Sequence, residues 1–119
     1  MAKVGRKLDK RIGEWFGPCT AAYVLRRLSA LHKGCPVTIY LNQDQVIYSD
    51  LLREQATADD VWKPAIILLP VRLGVDELNP VYHKALKAVF SIPQFIGIAG
   101  GKPCKSLYFV ARQGRGNIQ

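Results

Sequence analysis

The most informative segment of this chain runs from Ile92 to Ala111 and has the sequence IPQFIGIAGGKPCKSLYFVA. Its apolar parts, Phe95 to Ala99 and Leu107 to Val110, predict two β-strands. The loop predicted between them, Gly100 to Lys105, combines two mobile glycines with a stiff proline, which is a composition suited to a lid. The segment therefore predicts two strands joined by a loop.

Two helices are predicted upstream, and each begins at a proline. Pro18 suits the first turn of a helix whose apolar residues recur at helical spacing as far as Leu31, and Gly34 follows as a stop signal. Asn79 and Pro80 form the second start, with asparagine as the N-cap and proline at the first helical position. These signals predict one helix in the N-terminal half of the chain and one in the C-terminal half.

Two further strands are predicted between the helices. Val37 to Leu41 is rich in β-branched and aromatic residues. Ala65 to Leu69 is a continuous apolar run, too short for a typical helix, and indicates a buried strand. A short helix capped by Ser49 or Asp50 is expected between them. Because helices and strands do not alternate regularly, the sequence predicts the α+β class.

Composition and charge narrow the possible functions. The chain has 119 residues, enough for one domain, and no apolar run long enough to span a bilayer. Its three cysteines are odd in number and lack CxxC spacing, which argues against a disulfide framework or a zinc site and indicates a reducing compartment, the cytoplasm. No metal-ligand spacing or nucleotide-binding motif is present, so no cofactor is expected. The net charge of +8 keeps nucleic acid open as an alternative partner, although no nucleic-acid-binding motif accompanies it.

Three separated motifs, in one order, resemble the autophagins. They are IGEWFGPCT from Ile12, WKPAIILLPVRLG from Trp62, and the segment from Ile92 described above. The autophagins are cysteine proteases that process a ubiquitin-like autophagy modifier of the GABARAP type, and the resemblance extends from Met1 to Gly114. It implies a partial papain-like cysteine-protease fold, with residues 1–119 forming the central helices and sheet of a single partial peptidase domain.

The resemblance also implies where the catalytic residues of the family lie. The nucleophilic cysteine belongs to a Gly-Trp-Gly-Cys segment upstream, and the catalytic aspartate and histidine belong to an Asp-Pro-His motif downstream. We therefore expect this chain to lack the N-terminal nucleophile helix and the C-terminal Asp-His strand, to contain no catalytic residue, and to be inactive by itself. Cys19 follows Gly-Pro at a predicted helix N-terminus, as papain-type nucleophiles do, but autophagins have asparagine at this position and at Cys104. Neither His32 nor His83 follows an Asp-Pro pair.

A gate over the substrate groove is implied at five residues: Trp15, Gly100, Gly101, Lys102 and Pro103. In the family, the matching tryptophan and Gly-Lys-Pro loop close over the catalytic cysteine and open to admit the C-terminal glycine tail of the modifier. Without the resemblance, Trp15 would be interpreted as a core residue and the glycine loop as a plain hairpin. Arg72 and Val75 match family positions that face the modifier.

The predicted function is therefore that of a fragment of a cysteine-type endopeptidase. The whole enzyme would cut after the C-terminal glycine of the modifier and would also release the modifier from lipid. Two alternatives stay open, namely a non-catalytic module that binds the modifier and a basic nucleic-acid-associated protein. Turnover of a substrate fusion separates the first two, and a salt-dependent shift with random DNA identifies the third.

Overall fold

The computed structural model describes residues 10–57, 60–74, 77–102, 105–113 and 117–118, with the side chains of residues 102, 117 and 118 left aside. Contacts within the chain divide it into two units, Met1–Val71 and Arg72–Gln119, which we call the first and the second unit. Each is described by itself. The prediction of one peptidase domain over residues 1–119 stays a prediction.

The first unit begins with helix α1, Pro18–Leu31, as the sequence predicts. Gly17 precedes it in an extended conformation, and Pro18 occupies the first turn, where its missing N–H would have had no helical partner. The helix ends at His32, whose backbone N–H donates to the carbonyl of Leu28 at 3.0 Å. The Gly17–Pro18 pair and the later Gly34 thus predicted the position of this helix correctly.

The apolar residues of α1 are only partly covered. Val24 is completely buried, whereas Leu25 is 45% and Leu31 65% exposed. Among the described elements, the helix packs mainly on the strand Thr38–Leu41, so only a narrow stripe of its surface is covered. Its other apolar side chains remain on the surface of the first unit.

A parallel β-α-β arrangement completes the first unit. Strand β1, Thr38–Leu41, pairs with β2, Ala65–Leu68, with Thr38 opposite Ala65 and Leu41 opposite Leu68. Helix α2, Ser49–Ala56, lies in the connection between them. The sequence predicted both strands but not their parallel pairing, because α2 is short and is separated from each strand by irregular chain.

Strand β2 is less buried than the sequence predicts. Ala65 and Ile67 are exposed and Ile66 and Leu68 are half-buried, so burial alternates along the strand. Both helices pack on β1, and Tyr40 and Leu41 of that strand are buried. The prediction of a buried strand was wrong for Ala65 and Ile67, because among the described residues β2 pairs with β1 alone and no helix packs on it as extensively as on β1.

A hydrogen-bonded turn connects β1 to α2. Tyr40 is only 2% exposed. Its hydroxyl donates to the carbonyl of Val46 at 3.2 Å and accepts from the backbone N–H of Tyr48 at 3.0 Å. The carboxylate of Asp44 accepts from the backbone N–H of Val46 at 3.0 Å and from the hydroxyl of Tyr48 at 2.9 Å. This hydrogen bond to Asp44, together with the negative charge of that carboxylate, raises the pKa of Tyr48 above its ordinary value.

The N-cap of α2 is Tyr48, which makes no side-chain capping hydrogen bond. The sequence predicted Ser49 or Asp50 at this position, and that prediction was wrong by one or two residues. Both polar residues lie inside the first turn instead. The bonds from the Tyr40 hydroxyl fix the entry to the helix, so a side-chain cap is not what sets its start.

The second unit contains the predicted helix start at Asn79 and Pro80. The side chain of Asn79 accepts from the backbone N–H of Val81 at 3.0 Å, which is N-cap geometry. A 3₁₀ turn, Pro80–Tyr82, leads into helix α3, His83–Val89. The helix ends before Pro93, the predicted stop, and Leu86 is its buried residue. After it, the rings of Phe90 and Phe95 meet edge to face at 4.9 Å.

An antiparallel hairpin follows. Strand β3 is Ile98–Lys102 and strand β4 is Lys105–Phe109, with Ile98 opposite Phe109 and Lys102 opposite Lys105. The predicted loop from Gly100 to Lys105 was therefore wrong in extent, because the ladder continues through both glycines to Lys102. The shift also moves the start of the first strand from Phe95 to Ile98.

Two short strands end the described part of the second unit. Strand β5, Arg112–Gln113, pairs with β6, Asn117–Ile118. Gln113 lies opposite Asn117 and Arg112 lies opposite Ile118 in this antiparallel pair. The described residues thus form a mixture of helices and sheets, and none of their helices is long and apolar enough to cross a membrane.

Candidate substrate gate and modifier-facing residues

Trp15 lies in a short connector between a local hydrogen-bonded turn and helix α1. On its N-terminal side, the backbone N–H of Arg11 donates to the carboxylate of Glu14 at 2.7 Å, and the N–H of Glu14 donates to the carbonyl of Arg11 at 3.2 Å. On its C-terminal side, Gly17 caps α1. The indole is 63% exposed, so it is not part of the buried core of the first unit. A large aromatic side chain is thereby presented to solvent from a constrained backbone.

Gly100 and Gly101 have different surroundings in β3. A Cβ atom built on Gly100 meets nothing within 4 Å. A Cβ atom built on Gly101 would lie 2.1 Å from the carbonyl oxygen of Lys105, and Gly101 has a φ of +154°. Glycine is therefore required at Gly101, where the opposite strand approaches the backbone closely. At Gly100 it is not.

This geometry changes the interpretation of the two glycines. They belong to a paired ladder, with Gly100 opposite Leu107 and Gly101 opposite Ser106. A gate movement at these positions would displace the hairpin or break its pairing, whereas the sequence predicted a free loop hinge. Lys102 is the last residue of β3, and Pro103 lies outside the described residues.

Arg72 is exposed and precedes a tight loop. The backbone N–H of Asn79 donates to the carbonyl of Leu73 at 2.9 Å and closes this loop. Inside it, a Cβ atom on Gly74 would lie 1.8 Å from the carbonyl oxygen of Glu77. Position 74 thus requires glycine, and Arg72 lies two residues before it. Val75, the second predicted modifier-facing residue, lies outside the described residues.

The predicted residues are divided between the units. Trp15 belongs to the first unit, and Arg72, Gly100, Gly101 and Lys102 belong to the second. Their roles at a gate and at a modifier-facing surface stay predictions. Gly74 was missed by the sequence reasoning, although a glycine between a strand and an Asn-Pro helix start is a recognisable turn signal.

Two cysteines, Cys19 and Cys35, and both histidines lie among the described residues, and Cys104 lies outside them. Cys19 is exposed in the first turn of α1, and Cys35 is half-buried with its thiol directed to the carbonyl oxygen of Val37 at 3.2 Å. His32 caps the C-terminal end of α1, and His83 is exposed at the start of α3 in the other unit. Within the described ranges, no group of three or more His, Cys, Asp or Glu residues is placed to hold a metal ion.

Comparison with known proteins identifies the family. Residues 1–118 match the family model of the peptidase C54 catalytic domain. The chain is 46% identical over 104 residues to the "Probable cysteine protease ATG4" of Phaeosphaeria nodorum, an alignment that covers 86% of this chain and 22% of that protein. It is 36% identical over 141 residues to the cysteine protease ATG4 of Cryptococcus neoformans, covering 95% of this chain and 12% of that protein. Identity to the mouse cysteine protease ATG4A is 31% over 135 residues, covering 92% of this chain and 34% of that protein.

The chain belongs to the peptidase C54 family of cysteine proteases. This confirms the family that the three motifs indicated, and membership implies the papain-like cysteine-protease fold. The chain spans only 12 to 34% of the length of these three relatives. The alignment with the Cryptococcus protein is 141 residues long, more than the 119 residues here, so that relative carries residues without a counterpart in this chain.

Proposed function

We propose that this chain is part of a cysteine protease that cuts after the C-terminal glycine of a GABARAP-type ubiquitin-like modifier and releases the modifier from lipid. The observation that carries the proposal is the match to a peptidase C54 catalytic domain along residues 1–118. Within that enzyme, the chain contributes the substrate gate and a modifier-facing surface in the cytosol. It contributes no catalytic residue, so the isolated chain binds the modifier without cutting it.

The exposure of Trp15 supports a role in substrate contact. A glycine tail is thin, and a groove walled by an aromatic side chain selects glycine by excluding residues with side chains. The indole is 63% exposed and lies shortly before the start of α1, so it is available as such a wall. A wall beside the substrate tail also positions the scissile bond, which contributes to rate through orientation.

The exposure of Arg72 supports a role in binding the folded body of the modifier. Arg72 directly precedes Leu73, whose carbonyl accepts from the backbone N–H of Asn79 at 2.9 Å. A guanidinium donates its N–H groups in a planar fork to carboxylate and carbonyl oxygens. We therefore expect Arg72 to contact a carboxylate or carbonyl group of the modifier.

Cleavage tests the absence of catalysis. The purified chain is incubated with a GABARAP-type precursor between pH values of about 6 and 9, where a Cys–His pair would work, and products are measured by mass spectrometry. We expect no product. Turnover that Cys19→Ser abolishes would show that Cys19 is a nucleophile and would contradict the proposal.

Binding tests the modifier-facing surface. The modifier, isotope-labelled, is titrated with the wild-type chain, with Arg72→Glu and with Arg27→Glu, and chemical shifts are followed. Arg27 is exposed on α1 in the first unit, so its substitution is a control with the same change of charge. We expect Arg72→Glu to weaken binding and Arg27→Glu to preserve it. Equal affinities would remove Arg72 from the interface, and strong salt-dependent binding to random DNA without modifier binding would favour a nucleic-acid-associated protein.

A further inference from the structure

The first unit contains a cavity that the proposed function does not use. It has a volume of about 640 Å³ and lies among the C-terminal half of α1, the start of β1, the end of α2 and the segment before β2. This volume is within the range of pockets that bind small organic molecules. All of its lining residues belong to the first unit.

Cationic side chains line this cavity. Arg26, Lys33 and Lys63 contribute to its wall, and none of the described residues that line it is acidic. Ala30 and Val37 provide an apolar part of the same wall. The lining therefore combines positive charge with a hydrophobic surface, as a site for an organic anion requires.

Two carbonyl groups at the helix ends beside this cavity accept from uncharged donors of the chain. Lysine and arginine often gather at helix C-termini because they interact with unpaired carbonyl groups there. Here the carbonyl of Gln55, near the end of α2, accepts from the hydroxyl of Thr38 at 3.2 Å, and the carbonyl of His32, after α1, accepts from the backbone N–H of Cys35 at 2.9 Å. Other donors of the chain thus satisfy carbonyl groups at both helix ends.

Arg26 has the geometry to bind an oxyanion. One of its terminal nitrogens donates to the carbonyl of Leu41 at 3.4 Å, which anchors the side chain between α1 and β1. A guanidinium has five N–H groups in a planar fork, so an anchored arginine can still donate to a second acceptor. Two parallel N–H donors match the oxygens of a phosphate group.

We propose that this cavity binds an organic phosphate monoester. The phosphate contacts Arg26 and Lys33, and the organic group contacts Ala30 and Val37. A phosphate monoester carries nearly two negative charges at neutral pH, which matches a wall with several cations better than a single carboxylate does. The site lies in the first unit, apart from Arg72 and the β3–β4 hairpin in chain position, and it does not depend on the proposed protease function.

Cys35 reports on occupancy of the cavity because its half-buried thiol is part of the lining. The full chain is treated with iodoacetamide, a neutral reagent, and the alkylation rate of each cysteine is measured by peptide mass spectrometry. Exposed Cys19, in the first turn of α1, is the internal control. Without ligand, we expect Cys35 to react more slowly than Cys19; equal rates would show that the cavity is not formed and would overturn the proposal.

Phenyl phosphate is the probe, with phenol and inorganic phosphate as comparisons. At a concentration of ten times its Kd, phenyl phosphate should slow alkylation of Cys35 by about tenfold through mass action and leave Cys19 unchanged. Equal slowing of both cysteines, or equal protection by phenol, would overturn the proposal. Protection by inorganic phosphate as strong as that by phenyl phosphate would overturn the part that assigns an organic ligand.

Two variants locate the anion. Arg26→Gln should abolish protection, whereas Arg27→Gln, which removes the same charge from the neighbouring exposed residue, should keep it. Arg26 also donates to the carbonyl of Leu41, so its replacement removes that hydrogen bond as well. Lys33→Gln is therefore the second variant, because Lys33 is exposed and lines the cavity. Its loss should weaken protection severalfold. Full protection in Lys33→Gln and Arg26→Gln would overturn the assignment.

Discussion

Replacing Gly101 by alanine should destabilise the β3–β4 hairpin by about 2–5 kcal/mol. The first part of this cost is conformational, because Gly101 has a φ of +154°, and a residue with a side chain held in that region costs roughly 1–3 kcal/mol. The second part is steric. The new Cβ would lie 2.1 Å from the carbonyl oxygen of Lys105, so the strands must separate and lose ladder hydrogen bonds of about 1 kcal/mol each.

Gly100→Ala is the matched control for this prediction. A Cβ at Gly100 meets nothing within 4 Å, so the substitution should be neutral or should stabilise the chain by roughly 0.4–1 kcal/mol through the unfolded state. Hydrogen exchange of the backbone amides from Lys105 to Phe109, followed by NMR, measures the opening of the hairpin. Exchange should accelerate at least about thirtyfold in Gly101→Ala and stay at the wild-type rate or below it in Gly100→Ala. The same exchange rates in the two variants would refute the steric reasoning.

Three further predictions concern the first unit. Tyr40→Phe should lower the free energy of unfolding by about 1–3 kcal/mol, measured by urea denaturation, because the backbone N–H of Tyr48 and the carbonyl of Val46 lose a buried partner; an unchanged midpoint would contradict this. Tyr48 should ionise above the ordinary tyrosine pKa in an absorbance titration, and Asp44→Asn should move it back; the stability from this hydrogen bond is present below the ordinary pKa and is lost as pH rises through the raised one. Trp15→Ala should change the free energy of unfolding by less than about 0.5 kcal/mol, since the indole is exposed, and a larger loss would make Trp15 a packing residue.

Local signals that contain a proline predicted two helix starts well, whereas the start of α2 was misplaced by one or two residues. Pro18 after Gly17 and Pro80 after Asn79 each fix a backbone angle and a capping arrangement within a few residues, so their effect does not depend on the rest of the fold. Strands Thr38–Leu41 and Ala65–Leu68 were also recognised from their residue types. Their parallel pairing was not, because pairing joins segments far apart in sequence and no local signal encodes it.

The β3–β4 hairpin shows why the end of a strand could not be predicted from residue types alone. Two adjacent glycines ordinarily indicate a loop, because glycine weakens strands and permits turns. In this chain, the absence of a side chain at Gly101 is what lets the carbonyl of Lys105 approach, so the same residue extends the ladder. Only the position of the opposite strand distinguishes the two outcomes, and that position is tertiary information.

The candidate site followed from motif resemblance, and the structure adds the physical support of each residue. Arg72 was singled out because it matches a family position, but the closure of its loop by Asn79 and the requirement for Gly74 could not be inferred from that match. The sequence likewise could not predict that Trp15 is exposed, because tryptophan occurs both in buried cores and on binding surfaces.

Among the residues predicted to form the gate, Trp15 is consequently the one at which function can be separated from folding. A change at Gly101 alters the hairpin itself, so lost cleavage in a completed enzyme would report on structure and gating together. The Trp15 side chain is exposed, and its connector is held by the backbone bonds of Arg11 and Glu14 and by the start of α1. These constraints do not involve the indole and survive its removal. If the proposed whole enzyme lost cleavage in Trp15→Ala at unchanged stability, the loss would support the proposed contact of the indole with the substrate tail, and full cleavage would contradict it.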